Sequence, residues 1–293
     1  MDSRSTGWSE VGDRCFARRY DPFDVTVGVV LGADGVLLLD TRASVDQAHE
    51  IVDDLRELTS LPVRYVVNSH WHFDHTFGNG VFVPPSSDES ATVVAHQTVP
   101  AMLAEHGESR LAHLQANERR KLGSAREISE TITDTFAAVR VLDLGERVVE
   151  LAHPGRGHTD GDIVLRVHDA DVVYVGDLVE QSGPPVFGDD SYPLEWPATM
   201  EIVDNLLTSS SVVVPGHGSA VDREFVRAQR GELVDVAETI QQLWSAGVAQ
   251  DEALAATESW PYPVAHLSSA VARGYAALRE QAGGSGRTLP IVT

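Results

Sequence analysis

Three histidines and one aspartate fall within six residues, His70-Trp71-His72-Phe73-Asp74-His75. Imidazole nitrogen and carboxylate oxygen are the donors that bind zinc and similar first-row ions. Alternate side chains diverge on an extended segment, but a loop can turn all four toward one centre. Three further donors share one context, each beside glycine at the border of an expected strand. His158 lies in Gly155-Arg156-Gly157-His158-Thr159-Asp160-Gly161-Asp162, Asp177 follows Val172–Gly176, and His217 follows Val212–Gly216. Glycine lets backbone come close to a bound ion or ligand. Seven such residues fit a two-metal centre better than seven coincidences.

Something must carry these donors to one place. Val63–Asn68 has the β-branched and aromatic character of a buried strand, which puts the histidine cluster in the loop at its C-terminal end, where open α/β sheets bind ligands. Upstream, Val25–Leu31 and Val36–Asp40 read as strands joined by Gly32-Ala33-Asp34-Gly35, a hairpin signal. Ser44 and Gln47 form a capping-box pair ahead of an amphipathic helix over 45–59. Downstream come a turn-rich loop over Pro84–Asp88 and a strand over Thr92–Ala95. Residues 98–129 then form a charged helical insertion, read as a lid or substrate-shaping element. A second β-rich half follows, with strands at Val139–Leu142, Arg147–Ala152, Ile163–Val167, Val172–Val175 and Ser211–Val214 and a helix over 194–207. The order β-rich, helical, β-rich, helical fits an α/β fold of two half-sheets face to face with helices outside each. The expected organisation is a catalytic domain over 13–222 and a helical extension over 223–280 packed on it. Residues 1–12 are expected to be loosely ordered and 281–293 to be a flexible tail.

The 293 residues carry 22 Lys plus Arg against 44 Asp plus Glu, a formal net charge of −22. That field repels phosphate backbones and anionic membranes, so the expected partner is a small-molecule substrate, not nucleic acid or a membrane. Cys15 is the single cysteine; it cannot form an internal disulfide, fits a cytoplasmic location, and reads as a small core residue. Residues 1–22 have no apolar core of the secretory type, and no run approaches the roughly 18 apolar residues that span a bilayer.

With H-x-H-x-D-H, G-H-T, a G-D after a strand and P-G-H-G in that order, the chain resembles the metallo-β-lactamase superfamily of metallohydrolases from about residue 25 to about 220. The resemblance implies a four-layer αββα sandwich with its metals at one edge. It also implies that His70, His72 and His158 bind a first metal, that Asp74, His75 and His217 bind a second, and that Asp177 bridges both. The implied cofactor is two Zn²⁺ per chain, with iron or manganese as alternatives. The zinc β-lactamases lack a bridging aspartate of this kind, and their best-known branch has a cysteine ligand missing here. Flavodiiron proteins carry glutamate where His72 stands. Glyoxalase II-like enzymes and acyl-homoserine lactonases match all seven positions. The basic C-terminal segment of the former has no counterpart here, and Tyr192 is similar to a tyrosine that the latter carry beyond the bridging aspartate.

The chemistry so implied is attack on an ester, lactone or thioester carbonyl by a hydroxide bridging two zinc ions, at a centre of net charge about +1. Asp74 is the expected catalytic residue, orienting the hydroxide or protonating the leaving group. Thr159, Asp160 and Asp162 are placed to bond ligand imidazoles or to shape their turn. Phe187, Tyr192 and Trp196 form a candidate apolar substrate wall. Trp71 and Phe73 read as packing residues, and His96, His153 and His168 as structural or exposed. The alternatives are an iron-dependent persulfide dioxygenase, a β-lactam hydrolase and a non-catalytic metal-binding protein.

Overall fold

The computed structural model describes residues 7–84, 90–112, 114 and 116–284. In chain order they form β1 (Ser9–Gly12), β2 (Cys15–Tyr20), β3 (Val25–Leu31), β4 (Val36–Leu39), α1 (Val45–Leu58), β5 (Val63–Val67), α2 (Phe73–Thr76) and β6 (Thr92–His96). Three helices follow, α3 (Val99–Leu111), α4 (Ala116–Leu122) and α5 (Ala125–Glu130). Next are β7 (Asp134–Phe136), β8 (Val139–Asp143), β9 (Val148–Ala152), β10 (Val164–Val167) and β11 (Val172–Glu180). The chain continues through α6 (Trp196–Leu206), β12 (Val212–His217), α7 (Arg223–Ser245) and α8 (Ser268–Gly284).

The strands pair in the order β7-β6-β5-β4-β3-β12-β11-β10-β9-β8, with β2 and β1 alongside β3. The two halves meet where β3 and β12 share one register pair, Val25 with His217. Alternation along each strand decides what lies between the halves. Leu37, Leu39, Val67 and Val94 from the first half share an interior with Leu151, Leu165, Val172 and Tyr174 from the second. Tyr174 Oη spans it, donating to the carbonyls of Phe16 and Val29. The opposite faces are covered by helices. Ala48, Ile51 and Leu55 of α1 pack on Val27, Leu38 and Val66, while α6, α7 and α8 set Met200, Leu233, Ile240 and Tyr275 against Val173 and Val213. This is the four-layer αββα sandwich. Strands buried on both faces explain the nearly unbroken valine and leucine runs.

The 25–40 hairpin pairs as expected, Leu31 opposite Val36, and Ser44 caps α1 by accepting from Gln47 N. Other expectations change. Residues 9–12, read as loosely ordered, form β1 paired with β2, and β7 was not foreseen. The 98–129 insertion is three helices, which bury Leu103, Leu111, Leu122 and Ile128 with Trp71 and Phe77. It is a packed wall beside the site. The last helix continues past 280 to Gly284. The expected loop beyond Pro84 and the tail from 285 on lie outside the described residues. No helix among the described residues is long and apolar enough to cross a membrane.

Candidate metal centre

The histidine-rich segment leaves β5 and closes into α2, so half of it is helix rather than open loop. A four-residue turn places Asp74 and His75 on its inner side. The turn is pinned by Thr76 Oγ1 donating to the carbonyl of His72 and by Asn68 Nδ2 donating to that of His75. Asp177 and His217 lie within strands, not in the turns expected for them. Register shifts between β11 and β12 at Gly176 turn Asp177 out of the ladder. Two glycines make this possible. Gly176 has φ 53°, and a side chain at Gly216 would collide with Asp177 Oδ1.

All seven donors expected from the sequence converge. His70, His72, His158 and Asp177 form one group and Asp74, His75 and His217 a second, the donor atoms within each lying within 4.8 Å of one another. Asp177 lies between the two. Its Oδ2 is 3.3 Å from His158 Nε2 and 3.4 Å from His217 Nε2, and its Oδ1 is 3.3 Å from His75 Nε2. His70 Nε2 and Asp177 Oδ1 are buried with no hydrogen-bond partner. Buried polar atoms are normally satisfied. An orphaned imidazole nitrogen and an orphaned carboxylate oxygen facing one centre fit the binding of a cation.

Each imidazole is fixed by an acceptor on its far side, which sets which nitrogen faces the centre. His158 Nδ1 donates to Val186 O, His217 Nδ1 to Phe23 O, and His75 Nδ1 to Asp40 Oδ2, at 2.8–2.9 Å. His72 is turned the other way. Its Nε2 donates to Asp190 Oδ2 at 3.0 Å, leaving Nδ1 toward His158 Nε2 at 2.8 Å. Asp190 also takes the Trp71 indole, and together these donors outweigh burial and hold its carboxyl well below the usual range. Ser69 Oγ donates to Asp40 Oδ2 and so accepts from His70 Nδ1 at 3.0 Å. Asp40 therefore orients a histidine in each group.

Asp40, Ser69 and Asp190 were not singled out from the sequence. Asp40 had one local signal, a charged residue ending an apolar strand. Thr159 and Asp162, by contrast, bond each other and shape the turn, and they hold no ligand imidazole. Buried His96 stacks on His153 at 4.1 Å, and His168 is exposed near Glu150.

The two groups differ electrostatically. Burial pushes His70 well below its ordinary value, the charge of His75 adding to this, and burial likewise takes His158 down to about 4. Burial acts the same way on His75 and His217 but loses to nearby carboxylates. Asp177, Asp40 and Asp74 lift His75 to about 9, and Asp177, Asp74 and Glu180 lift His217 to about 11. Glu180, at the end of β11, is raised to about 7 by burial and by Asp177.

A cavity of about 580 Å³ opens over the groups, in the size range of roughly 300–1,000 Å³ typical of small-molecule sites. His72, Asp74, His158, Asp177 and His217 are exposed to it, together with Glu180 and Arg110. Its aromatic wall is not the expected one. Phe187 and Trp196 are buried behind the site, ring centroids 5.2 Å apart, where Trp196 packs edge-on to His158 and donates to Leu178 O. Large aromatic groups gain most by complete burial, and the core under α6 offered it. Tyr192 lies outside this cavity, between Arg156 and Arg273. The wall is instead Phe23 and Phe73, edge to face at 5.3 Å, so Phe73 is more than a packing residue.

A profile of the Metallo-beta-lactamase superfamily matches residues 20–217, which include every donor of both groups. The chain belongs to the metallo-β-lactamase superfamily. It is accordingly an enzyme of hydrolase type. Among curated relatives, a Metallo-beta-lactamase type 2 of Bacillus cereus is 27% identical over 199 residues, 67% of this chain and 68% of that protein. A Linear primary-alkylsulfatase of Pseudomonas sp. is 23% identical over 75% of this chain, though over only 47% of its own length. Among solved structures, a metallo-β-lactamase from Pontibacter korlensis superposes with TM-score 0.61 at 19% identity, covering 78% of this chain and 98% of that one. A DIM-1 metallo-β-lactamase exposed to ceftazidime gives 0.57 at 19% identity, covering 76% and 94%. The superfamily binds divalent metals, typically zinc, and the two donor groups suit such ions.

Proposed function

We propose that this enzyme is a dinuclear zinc hydrolase that opens an ester, lactone or thioester, with His70, His72 and His158 holding one ion, Asp74, His75 and His217 the other, and Asp177 shared. The observation that carries the reading is the Asp177 carboxylate, within 3.4 Å of nitrogens from both groups. Divalent ions held at these positions would supply Lewis-acid polarisation of the scissile carbonyl and a hydroxide nucleophile near neutral pH. The chain's own residues do the rest. Phe23 and Phe73 hold the apolar part of the substrate against the cavity wall. Asp74, its side chain 12% exposed and 3.5 Å from His217 Nε2, accepts a proton from the nucleophile and returns it to the leaving group. The five far-side acceptors keep the imidazoles from turning, so the site needs little rearrangement during reaction. The substrate is a small molecule, and neither nucleic acid nor a membrane surface suits a chain of net charge −22. The single cysteine, buried in the core, suits a reducing cytoplasm.

A second reading, β-lactam hydrolysis, is favoured by the name of the Bacillus cereus relative. Elemental analysis of purified protein, coupled to a screen of lactones, thioesters, aryl esters and a chromogenic cephalosporin, separates the readings. The expected result is two zinc ions per chain with turnover of a lactone, ester or thioester. Turnover of the cephalosporin alone would establish the second reading. One iron per chain with oxygen uptake would sink both.

A further inference from the structure

Beside the first cavity lies another, of about 420 Å³. The two share lining from Arg110 and Asp189, so Arg110 stands at the passage between them. The second cavity sits directly behind His72, because Trp71 and Asp190, which bond each other and orient that histidine, form one of its walls. Its other wall is Tyr192 and Arg273.

The charges in this space are unusual for a chain of net charge −22. Arg119, Lys121 and Arg126 of the same insertion are in surface ion pairs, and the exposed Arg120 is in none among the described residues. Arg110 is half-buried and, among the described residues, has none. Arg273 is steadied by donating from Nε to Ser191 O, with its guanidinium 5.3 Å from the Tyr192 ring centre. Against these two cations stand Asp190, whose Oδ2 takes Trp71 and His72 while its buried Oδ1 has no hydrogen-bond partner, and the exposed Asp189. His106 stands over Trp71 at 6.1 Å, paired at 3.9 Å with Glu105. Two guanidinium groups and two aromatic faces suit a carboxylate or sulfonate on a tail that stacks as it passes.

We propose that the second cavity binds an anionic tail of the substrate whose scissile carbonyl sits in the first, with Arg110 and Arg273 taking the charge. This deepens the hydrolase reading and rests on it. The substrate class becomes an acyl compound carrying a carboxylate or sulfonate away from the reacting bond. Tyr192 returns as a wall of the tail's cavity rather than of the metal cavity.

The test uses zinc-loaded protein and mono-4-nitrophenyl esters of the linear diacids from succinic to suberic, each against the uncharged ester of equal length. At the chain length that reaches Arg110, the acid ester should have a KM about tenfold lower than its neutral partner, equivalent to about 1.4 kcal/mol. In Arg110→Gln that KM ratio should collapse to about one, with Arg110→Lys between. An unchanged ratio in Arg110→Gln at every length would overturn the proposal. A second arm stands even if no ester is cleaved, an outcome that would count against the hydrolase reading alone. Calorimetric titration should show suberate binding about tenfold tighter than octanoate, and Arg110→Gln should erase the difference. Equal affinities in the original protein would overturn the proposal.

Discussion

The two donor groups touch, the rings of His70 and His75 lying 4.3 Å apart, and yet they offer a metal different things. In the first group, burial keeps His70 and His158 neutral, so their lone pairs are available at once. In the second, His75 and His217 are ringed by Asp40, Asp74, Asp177 and Glu180 and hold protons near neutral pH. Both groups are buried and both are built mainly of imidazole. The difference is the number of carboxylates around each ring. A donor set on paper is therefore an incomplete account of a metal site, because the second group must lose protons before it can bind.

The comparison breaks most completely where the groups join. Asp177→Ala should remove the shared donor, leave less than one metal per chain and reduce turnover below detection; elemental analysis and a lactone or ester assay read both. Next in size are His158→Ala and His217→Ala, each expected to leave about one metal. The ion retained in His217→Ala should bind with little dependence on pH, and that retained in His158→Ala should bind more weakly as pH falls. Identical pH profiles in the two variants would contradict the electrostatic contrast. Smaller effects should come from the acceptors. Asp190→Asn should weaken the first ion alone, through His72, and Asp40→Asn should weaken both, by about 10–100-fold, in competition with a chromophoric chelator.

The smallest effect is a proton count. Loading the first group at pH 7.5 should release no proton, and loading the second about two, one from each raised histidine, as calorimetry in buffers of different ionisation enthalpy would detect. The sign for stability follows. Both histidines have folded values raised above the ordinary 6.5, so their contribution to the metal-free protein is complete below about 6.5. It is lost as pH rises through about 9 and then about 11, and the melting temperature of metal-free protein should fall across that window.

The donors were legible in the sequence because they are local in it: four lie in six residues, and the other three sit beside glycines that the backbone geometry requires. The sheet halves were legible because their strands are buried on both faces and read as apolar runs. What could not be read depended on distance. Asp40 meets His75 from 35 residues away and Asp190 meets His72 from 118, and neither stands in a pattern that announces its partner. The aromatic wall misled for another reason. Phe187 and Trp196 follow the bridging aspartate in sequence, but Trp196 is buried at the start of α6 and Phe187 packs against it in the core, while Phe23, from the far end of the chain, takes the place at the cavity.

His217 has a second duty besides donating to an ion. Its backbone forms the one register pair that joins the half-sheets, and its ring is tied to Phe23 O on the opposite side. Neighbouring bonds, Thr26 Oγ1 to Gly218 O and Gly218 N to Asp24 O, reinforce the same join. The site is thus a clasp across the protein's own seam. Whatever occupies the second group fastens the halves together, and parting of the seam dismantles that group in the same motion. Ion occupancy at 100 times its dissociation constant would hold this clasp shut by about 2.7 kcal/mol. A chelator, by the same coupling, acts on this molecule as a mild denaturant that begins its work at the active edge.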